Sequence, residues 1–115
     1  MKLKNEISEE LTNHIIPFWE TLYDDEHGGF YGQLDFALNL NKKAEKGCIL
    51  NSRILWFFSK AYLLLKDESL LVYANHAYDF MMKNCIDNDF GGVFWSVNYD
   101  GTVADDTKHT YNQAF

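Results

Sequence analysis

Hydrophobic residues recur at helical spacing in four segments of the chain, and the first segment covers residues 7–23. Apolar side chains there follow steps of three and four, which places them on one face of a helix: Ile7, Leu11, Ile15, Phe18 and Leu22. Ser8 is the expected N-cap, while Pro17 lies inside the pattern and should kink or break the helix. The segment predicts an amphipathic helix with one face against a core.

Two central segments differ in how their apolar residues are distributed. Residues 48–65 are apolar nearly all the way round, which is typical of a helix surrounded by protein. Residues 69–86 carry one apolar stripe and are polar elsewhere, as in an outer helix that packs on one side. We therefore expect helix 48–65 to be the more buried of the two. A fourth helix is predicted from about Asp105 to Phe115.

An internal repeat connects the helices. Residues 24–31 (DDEHGGFY) align without a gap with residues 87–94 (DNDFGGVF), and each copy reads as a glycine turn followed by a short strand. Residues 98–102, with Asp100-Gly101, predict a hairpin turn. A unit of helix, loop and helix cannot bury its own apolar face, so it should stack on further copies. The pattern predicts an all-α toroid of inner and outer helices, of which residues 1–115 form the N-terminal portion, about the first third.

Composition and charge narrow the functional classes. The chain has 115 residues and 47% hydrophobic content, which excludes a disordered segment. Aromatic residues reach 17%, and such rings often line a concave site. The net charge of −7 argues against nucleic acid as a partner.

The chain shows no targeting or membrane signal in its sequence. The N-terminus lacks the apolar region of a signal peptide, and the longest apolar stretch, residues 54–65, is too short to span a bilayer. Cys48 and Cys85 are far apart and flanked by apolar residues, so both are expected to be buried, reduced thiols. We expect a cytoplasmic protein with no membrane partner.

A set of motifs resembles the N-terminal part of the cellobiose 2-epimerases, in the N-acylglucosamine 2-epimerase superfamily. The motifs are HIIPFW, DDEHGGFYG, GCILNSRILWFFSKAY, NCIDNDFGGVFW and KHTYNQAF, in that order over essentially the whole chain. The resemblance implies an (α/α)6 barrel, here only its first helical hairpins with short β-hairpin loops. It also implies cofactor-free epimerisation at C2 of the reducing-end glucose of cellobiose, lactose-like and related β-1,4 disaccharides, by a monomeric full-length protein.

The same resemblance implies roles for three residues. Arg53 matches an arginine at the sugar oxygens, where a guanidinium could stabilise an enediolate. Tyr111 and Phe115 match substrate-pocket aromatics and should share one helix face. The two histidines that transfer protons in the family lie in the C-terminal part of the barrel, and none of the four histidines here matches them. Asn51 stands where close relatives can have His, and we expect it to tune the pocket rim.

Other chemistry-bearing residues have simpler interpretations. Four aspartates come before the two Gly-Gly turns: Asp24, Asp25, Asp87 and Asp89. Two of them could form the carboxylate pair of a glycosidase, but their repeated position before Gly-Gly predicts turn and cap roles instead. The histidines have no metal-ligand spacing, so no metal site is expected. His109 is interpreted as structural, and Trp56 and Trp95 as core or barrel-rim packing rather than sugar platforms.

Two alternatives to an active 2-epimerase remain open from the sequence. The chain could be an incomplete, catalytically inactive piece of such a barrel. It could also belong to a related (α/α)6 sugar isomerase or hydrolase with a different substrate.

Overall fold

The computed structural model describes residues 2–115, and its first helical segment is longer than the sequence predicts. Helix α1 (Lys2–Glu10) continues through a π-helical turn (Leu11–Ile15) into α2 (Ile16–Glu20). Pro17 therefore lies in the first turn of α2, directly after the π-turn, where its missing N–H costs little. The predicted N-cap at Ser8 is wrong, because the helix is already formed at Lys2 and Ser8 lies inside it.

The remaining helices follow the predicted order. They are α3 (Cys48–Leu65), α4 (Ser69–Phe80) with a π-turn after it (Met81–Cys85), and the short α5 (Thr110–Ala114). Helix α3 has the bounds of the predicted segment 48–65. Helix α4 with its π-turn covers the predicted segment 69–86 except for its last residue. The prediction that the fourth helix begins near Asp105 is wrong, because that stretch belongs to a strand.

Three short strands form one antiparallel sheet in the order β1-β2-β3: β1 (Lys46–Gly47), β2 (Ser96–Val97) and β3 (Val103–Asp105). The predicted hairpin turn lies between β2 and β3, where Asn98 donates its backbone N–H to Thr102 and Gly101 takes φ +94°. The sheet joins the start of α3 to the second half of the chain, since β1 leads directly into that helix.

Two apolar clusters hold these elements together. The larger one lies between α3 and α4 and below the first Gly-Gly loop, with Phe30, Phe58 and Ala77 completely buried at its centre. The smaller one contains Cys48 and Cys85, which are buried free thiols as predicted. The hydrogen bond with Cys48, together with burial, raises the pKa of the Cys85 thiol.

The predicted contrast in burial between the two central helices is wrong. Helix α3 and the segment Ser69–Cys85 each contain five buried residues. The exposed side of α3 is apolar too, with Trp56 and Leu64 about two-thirds exposed. The all-round apolarity of α3 therefore reflects two apolar faces, of which only one is covered within residues 2–115.

The apolar stripe of the first helix is also largely uncovered, against expectation. No residue of α1 is buried, and Ile7 is 60% exposed. Ile16 of this helical segment and Leu22, just after it, are buried in the larger cluster. The stripe exists as predicted, but nothing in the described part of the chain packs on most of it.

Helix α3 is long and apolar enough to cross a membrane by those two criteria alone, with a mean hydropathy of 1.2. The core helices of soluble proteins meet the same criteria. Here α3 packs along α4 and buries Ile54, Phe58 and Ala61 in the larger apolar cluster. The helix thus has the packing of a core helix on that face.

The two Gly-Gly loops share a set of hydrogen bonds, which confirms the internal repeat. Asp24 donates its backbone N–H to Gly29, and Asp87 donates to Gly92 in the same way. Each aspartate also accepts two backbone N–H groups on Oδ1, from residues two and three positions later. All four loop glycines have positive φ, between 67° and 85°, which L side chains rarely adopt.

Each loop aspartate also pairs with a lysine. Lys46 Nζ lies 2.6 Å from Asp24 Oδ2, and Lys108 Nζ lies 2.5 Å from Asp87 Oδ2. The first pair is fully buried, whereas the Lys108 side chain is 30% exposed. Lys46 also donates to the carbonyls of Gly28 and Tyr99, so it ties the first loop and β1 to the hairpin.

Substituting Asp24 should destabilise the fold more than the same change in the second repeat. Asp24→Asn leaves the Lys46 ammonium buried without a counter-charge, which costs about 3 kcal/mol. Asp87→Asn is the matched control. Its loss of unfolding free energy should be clearly smaller, because water reaches the Lys108 side chain. Urea unfolding of the 115-residue protein followed by circular dichroism measures both. Equal losses of unfolding free energy in the two variants would show that burial does not make the Asp24–Lys46 pair more stabilising than the Asp87–Lys108 pair.

Stability should fall in acid. Burial raises the pKa of Asp24, but Lys46 and two backbone N–H groups outweigh it, and the net pKa is below the usual 3.8. The hydrogen bond from Lys108 is the main cause that lowers the pKa of Asp87. Carboxyls with a lowered folded pKa stabilise the fold above their unfolded pKa and lose that contribution as the pH falls through the folded pKa.

The contribution of these carboxyls to the unfolding free energy should therefore be constant down to about pH 5 and decline below it. The decline should be shallower in the Asp24→Asn/Asp87→Asn double variant, which lacks two of the responsible carboxyls. An unchanged slope in that variant would contradict the assignment.

Candidate functional site

A groove of about 700 Å³ runs along the exposed side of α3. It lies between α2 and the end of α5, and its lining residues are Trp19, Leu50, Ser52, Arg53, Ile54, Trp56, Phe57 and Phe115. The Ser52 hydroxyl donates to the Ile49 carbonyl within the helix. The groove is thus an apolar, aromatic surface with one cation, a combination suited to a sugar that has an apolar face and hydroxyl edges.

Arg53 presents its guanidinium in this groove. Its central carbon lies 4.8 Å from the centroid of the Phe115 ring, within range of a cation–π contact. None of the ion pairs found among residues 2–115 includes Arg53. Because an aromatic ring orients the guanidinium while no carboxylate neutralises it, its N–H groups can donate to oxygens of a ligand.

The structure brings Arg53 and Phe115 together but leaves Tyr111 outside the groove. The Tyr111 ring packs edge-on against Trp95, with centroids 5.8 Å apart, and is about half exposed. His109 also contacts the Trp95 ring, at 4.6 Å, in agreement with a packing role. The role of Tyr111 at the substrate therefore stays a prediction, whereas Trp56, expected to pack, is 65% exposed and lines the groove.

The expectation that Asn51 tunes the pocket rim is wrong. Its side chain is fully buried on the opposite side of α3. Oδ1 accepts the Phe30 backbone N–H at 3.3 Å, and Nδ2 donates to the Gly47 carbonyl at 3.0 Å. Asn51 therefore holds the first Gly-Gly loop against the N-terminal end of α3, two residues before Arg53.

Sequence reasoning missed that this contact is repeated. The Gln113 side chain accepts the Val93 backbone N–H at 2.6 Å and donates to the Val93 carbonyl at 2.8 Å. Val93 corresponds to Phe30 in the repeat. A signal was available, because Lys46 and Asn51 precede Lys108 and Gln113 by the same interval, one residue shorter than the interval between the loops. Each repeat thus uses a lysine and an amide to fix its loop.

Asp24 and Asp87 have the turn roles expected of them, whereas the same role for Asp25 and Asp89 stays a prediction. A general acid needs a raised pKa, but the pKa values of Asp24 and Asp87 are both lowered. No cluster of three or more potential metal ligands occurs among residues 2–115. Two of the four histidine rings lie within hydrogen-bonding distance of polar groups: His76 lies 2.7 Å from the Gly29 carbonyl, and His14 lies 2.9 Å from Glu10.

Comparison with known proteins places this geometry in a class of helical barrels that act on sugars. Residues 29–115 match the N-acylglucosamine 2-epimerase (GlcNAc 2-epimerase) family. The match covers more than half of the chain, and the chain belongs to this family. Its helices and loops are the first helical hairpins of the (α/α)6 barrel that its structural relatives share.

Individual relatives agree with this assignment. Over 111 residues the chain is 59% identical to the cellobiose 2-epimerase of Ruminococcus albus, and over 114 residues 56% identical to that of Eubacterium cellulosolvens. The solved cellobiose 2-epimerase of Bacillus thermoamylovorans superposes with a TM-score of 0.97 at 48% identity over 98% of the chain. The matches include 96% and 98% of this chain for the two sequences, but 28% of each relative and 29% of the solved structure.

Proposed function

We propose that this chain supplies one wall of the sugar site of a 2-epimerase that acts on β-1,4-linked disaccharides of the cellobiose type. The observation that carries the proposal is the Arg53 guanidinium, held over Phe115 in an aromatic groove and in none of the ion pairs that residues 2–115 form. Similarity to relatives named cellobiose 2-epimerase supports the substrate class. Tyr111 is proposed as a further substrate contact.

The groove fits the charge that develops in this reaction. When the sugar ring opens, C1 becomes an aldehyde and the C2 proton becomes acidic. A base takes that proton, and the C2–H electron pair forms the C1–C2 double bond of an enediolate with negative charge on its oxygen. An acid then returns a proton to the opposite face of C2. Arg53 would stabilise the enediolate oxygen through charged hydrogen bonds, and no cofactor is required.

Proton transfer needs groups that this wall does not offer. None of the lining residues is an aspartate, glutamate or histidine. The four histidines of the chain, His14, His27, His76 and His109, all lie outside the groove. We assign the base and the acid to parts of the barrel beyond these residues. That the full-length protein is a monomer and that it is cytoplasmic both stay predictions.

The 115-residue protein by itself should show no epimerase activity. Its groove binds and polarises a sugar, but it holds neither proton acceptor nor proton donor for C2. Purified protein would be incubated with cellobiose and assayed by chromatography for glucosyl-mannose. Turnover well above a buffer blank would refute the assignment of proton transfer to other parts of the barrel.

Arg53→Ala should abolish most of the activity once the barrel is completed. The test protein is a chimera in which this chain replaces its counterpart in the Ruminococcus albus enzyme. Loss of an oxyanion-stabilising donor typically lowers kcat by about 10²–10³, while stability should change little because the side chain is exposed. Lys60→Ala is the matched control: this exposed cation lies on the same side of α3, two turns further on.

Wild-type kcat/KM in the Arg53→Ala chimera would show that Arg53 has no catalytic role. A time course in D2O followed by NMR separates the alternatives, because epimerisation exchanges the C2 proton and hydrolysis of the glycosidic bond does not. Hydrolysis products without exchange at C2 would favour the related hydrolase.

A further inference from the structure

We propose that Cys48 and Cys85 form a redox-sensitive pair, in which a peroxide joins the first residue of α3 to the end of the π-turn after α4 through a disulfide. The buried, reduced pair is the resting state, and the disulfide forms in molecules whose smaller apolar cluster has opened. The proposal is independent of the proposed function, because neither cysteine lines the groove.

The fold brings the two thiols together from distant parts of the sequence. Cys48 begins α3, Cys85 ends the π-turn, and their thiols are hydrogen-bonded to each other. Their backbones are bonded to consecutive residues, since Cys48 donates its N–H to the Trp95 carbonyl and the Cys85 carbonyl accepts the Phe94 N–H. Because the side chains are already in contact, a small movement is enough to form a sulfur–sulfur bond.

The surroundings of the pair can accept a disulfide without a new polar contact. Phe80 and Val97 complete the buried part of the cluster around the two cysteines. A disulfide has no hydrogen-bond donor, so it needs no partner in such an apolar environment. Oxidation therefore leaves no buried donor unsatisfied.

Burial controls when the pair can react. Cys48 is 1% exposed and Cys85 is completely buried. Burial and the contact with Cys48 also raise the pKa of the Cys85 thiol, and the thiolate is the form that attacks an oxidant. Oxidation thus requires that the cluster opens. The π-turn is the segment expected to open first, because Cys85 is the one buried residue that holds it.

The chemistry needs a peroxide and no other reactant. In the opened cluster one cysteine thiolate attacks a peroxide oxygen, and the O–O bond breaks to give a sulfenic acid and hydroxide, which takes up the proton that the thiol released. When the cluster closes again, the second thiol attacks the sulfenic sulfur and displaces its oxygen as water, which forms the disulfide. Two thiols thereby lose two electrons and two protons, and one hydrogen peroxide is reduced to two water molecules.

The disulfide would stabilise the segment whose opening allowed it to form. It closes residues 48–85 into a loop that contains all of α3 and α4. Such a cross-link removes conformations of the unfolded chain. Oxidised protein should therefore be harder to open again, and the device protects the fold under combined unfolding and oxidative stress.

The test treats the dilute 115-residue protein with hydrogen peroxide, in native buffer and in urea below the unfolding transition. The intact mass should fall by two hydrogen atoms, and peptide mapping should link Cys48 to Cys85. The cross-link should form at least about threefold faster in the urea solution.

The cross-linked protein should unfold at a urea concentration about 1–2 M higher than the reduced protein. Dithiothreitol should reverse this gain, whereas oxidised methionines would be unaffected by it. Cys48→Ser is the matched control, since it keeps Cys85 but cannot form the cross-link, and its urea midpoint should not rise on oxidation.

Three results would overturn the proposal: no disulfide between Cys48 and Cys85, disulfide-linked dimers as the main product, or a cross-linked chain that unfolds at the same urea concentration as the reduced one. Equal rates of cross-linking in native buffer and in urea would contradict the requirement for local opening.

Discussion

The rest of the structure depends on the ion pair and the hydrogen bonds that the Lys46 ammonium group makes. This group is completely buried, and its three protons have three acceptors: Asp24 Oδ2 and the Gly28 carbonyl at 2.6 Å, and the Tyr99 carbonyl at 3.0 Å. A buried charge is tolerated only when its donors are fully satisfied and a counter-charge is close. This one residue therefore fixes the first loop, the sheet and the hairpin relative to each other.

The position of the candidate site follows from that constraint. Lys46 and Gly47 form β1, which leads without a linker into α3, and Asn51 ties the first turn of α3 to the same loop. With the buried side of the helix fixed in this way, Arg53 is directed to the opposite side, into the groove. The second repeat uses Lys108 and Gln113 for the same purpose, and Phe115 at the end of α5 then meets the Arg53 guanidinium.

Much of this fold could be predicted because it has a local signal. The apolar run at 48–65 gave α3 its bounds, and the repeated Gly-Gly loops and the hairpin at Asp100-Gly101 were read from turn chemistry. The hydrogen bonds of Lys46, Asn51 and Gln113 join residues about twenty positions apart, so these roles have no local signal and were missed. Their only trace in the sequence is the equal spacing of Lys46 with Lys108 and of Asn51 with Gln113. Periodicity reveals which faces are apolar but not which of them are covered, and the predicted burial of α3 failed for that reason. At the site, the resemblance indicated Arg53, Tyr111 and Phe115. The fold brings Arg53 and Phe115 together but leaves Tyr111 outside the groove.

The most direct test of the central claim, that Arg53 marks the sugar-binding wall, is a crystal structure of the chimeric barrel with glucosyl-mannose bound. The account predicts a guanidinium nitrogen of Arg53 within about 3 Å of an oxygen at C1 or C2 of the mannose unit, with the Phe115 ring still beneath the guanidinium. A sugar bound elsewhere in the barrel, or Arg53 turned to a carboxylate of another segment, would contradict it.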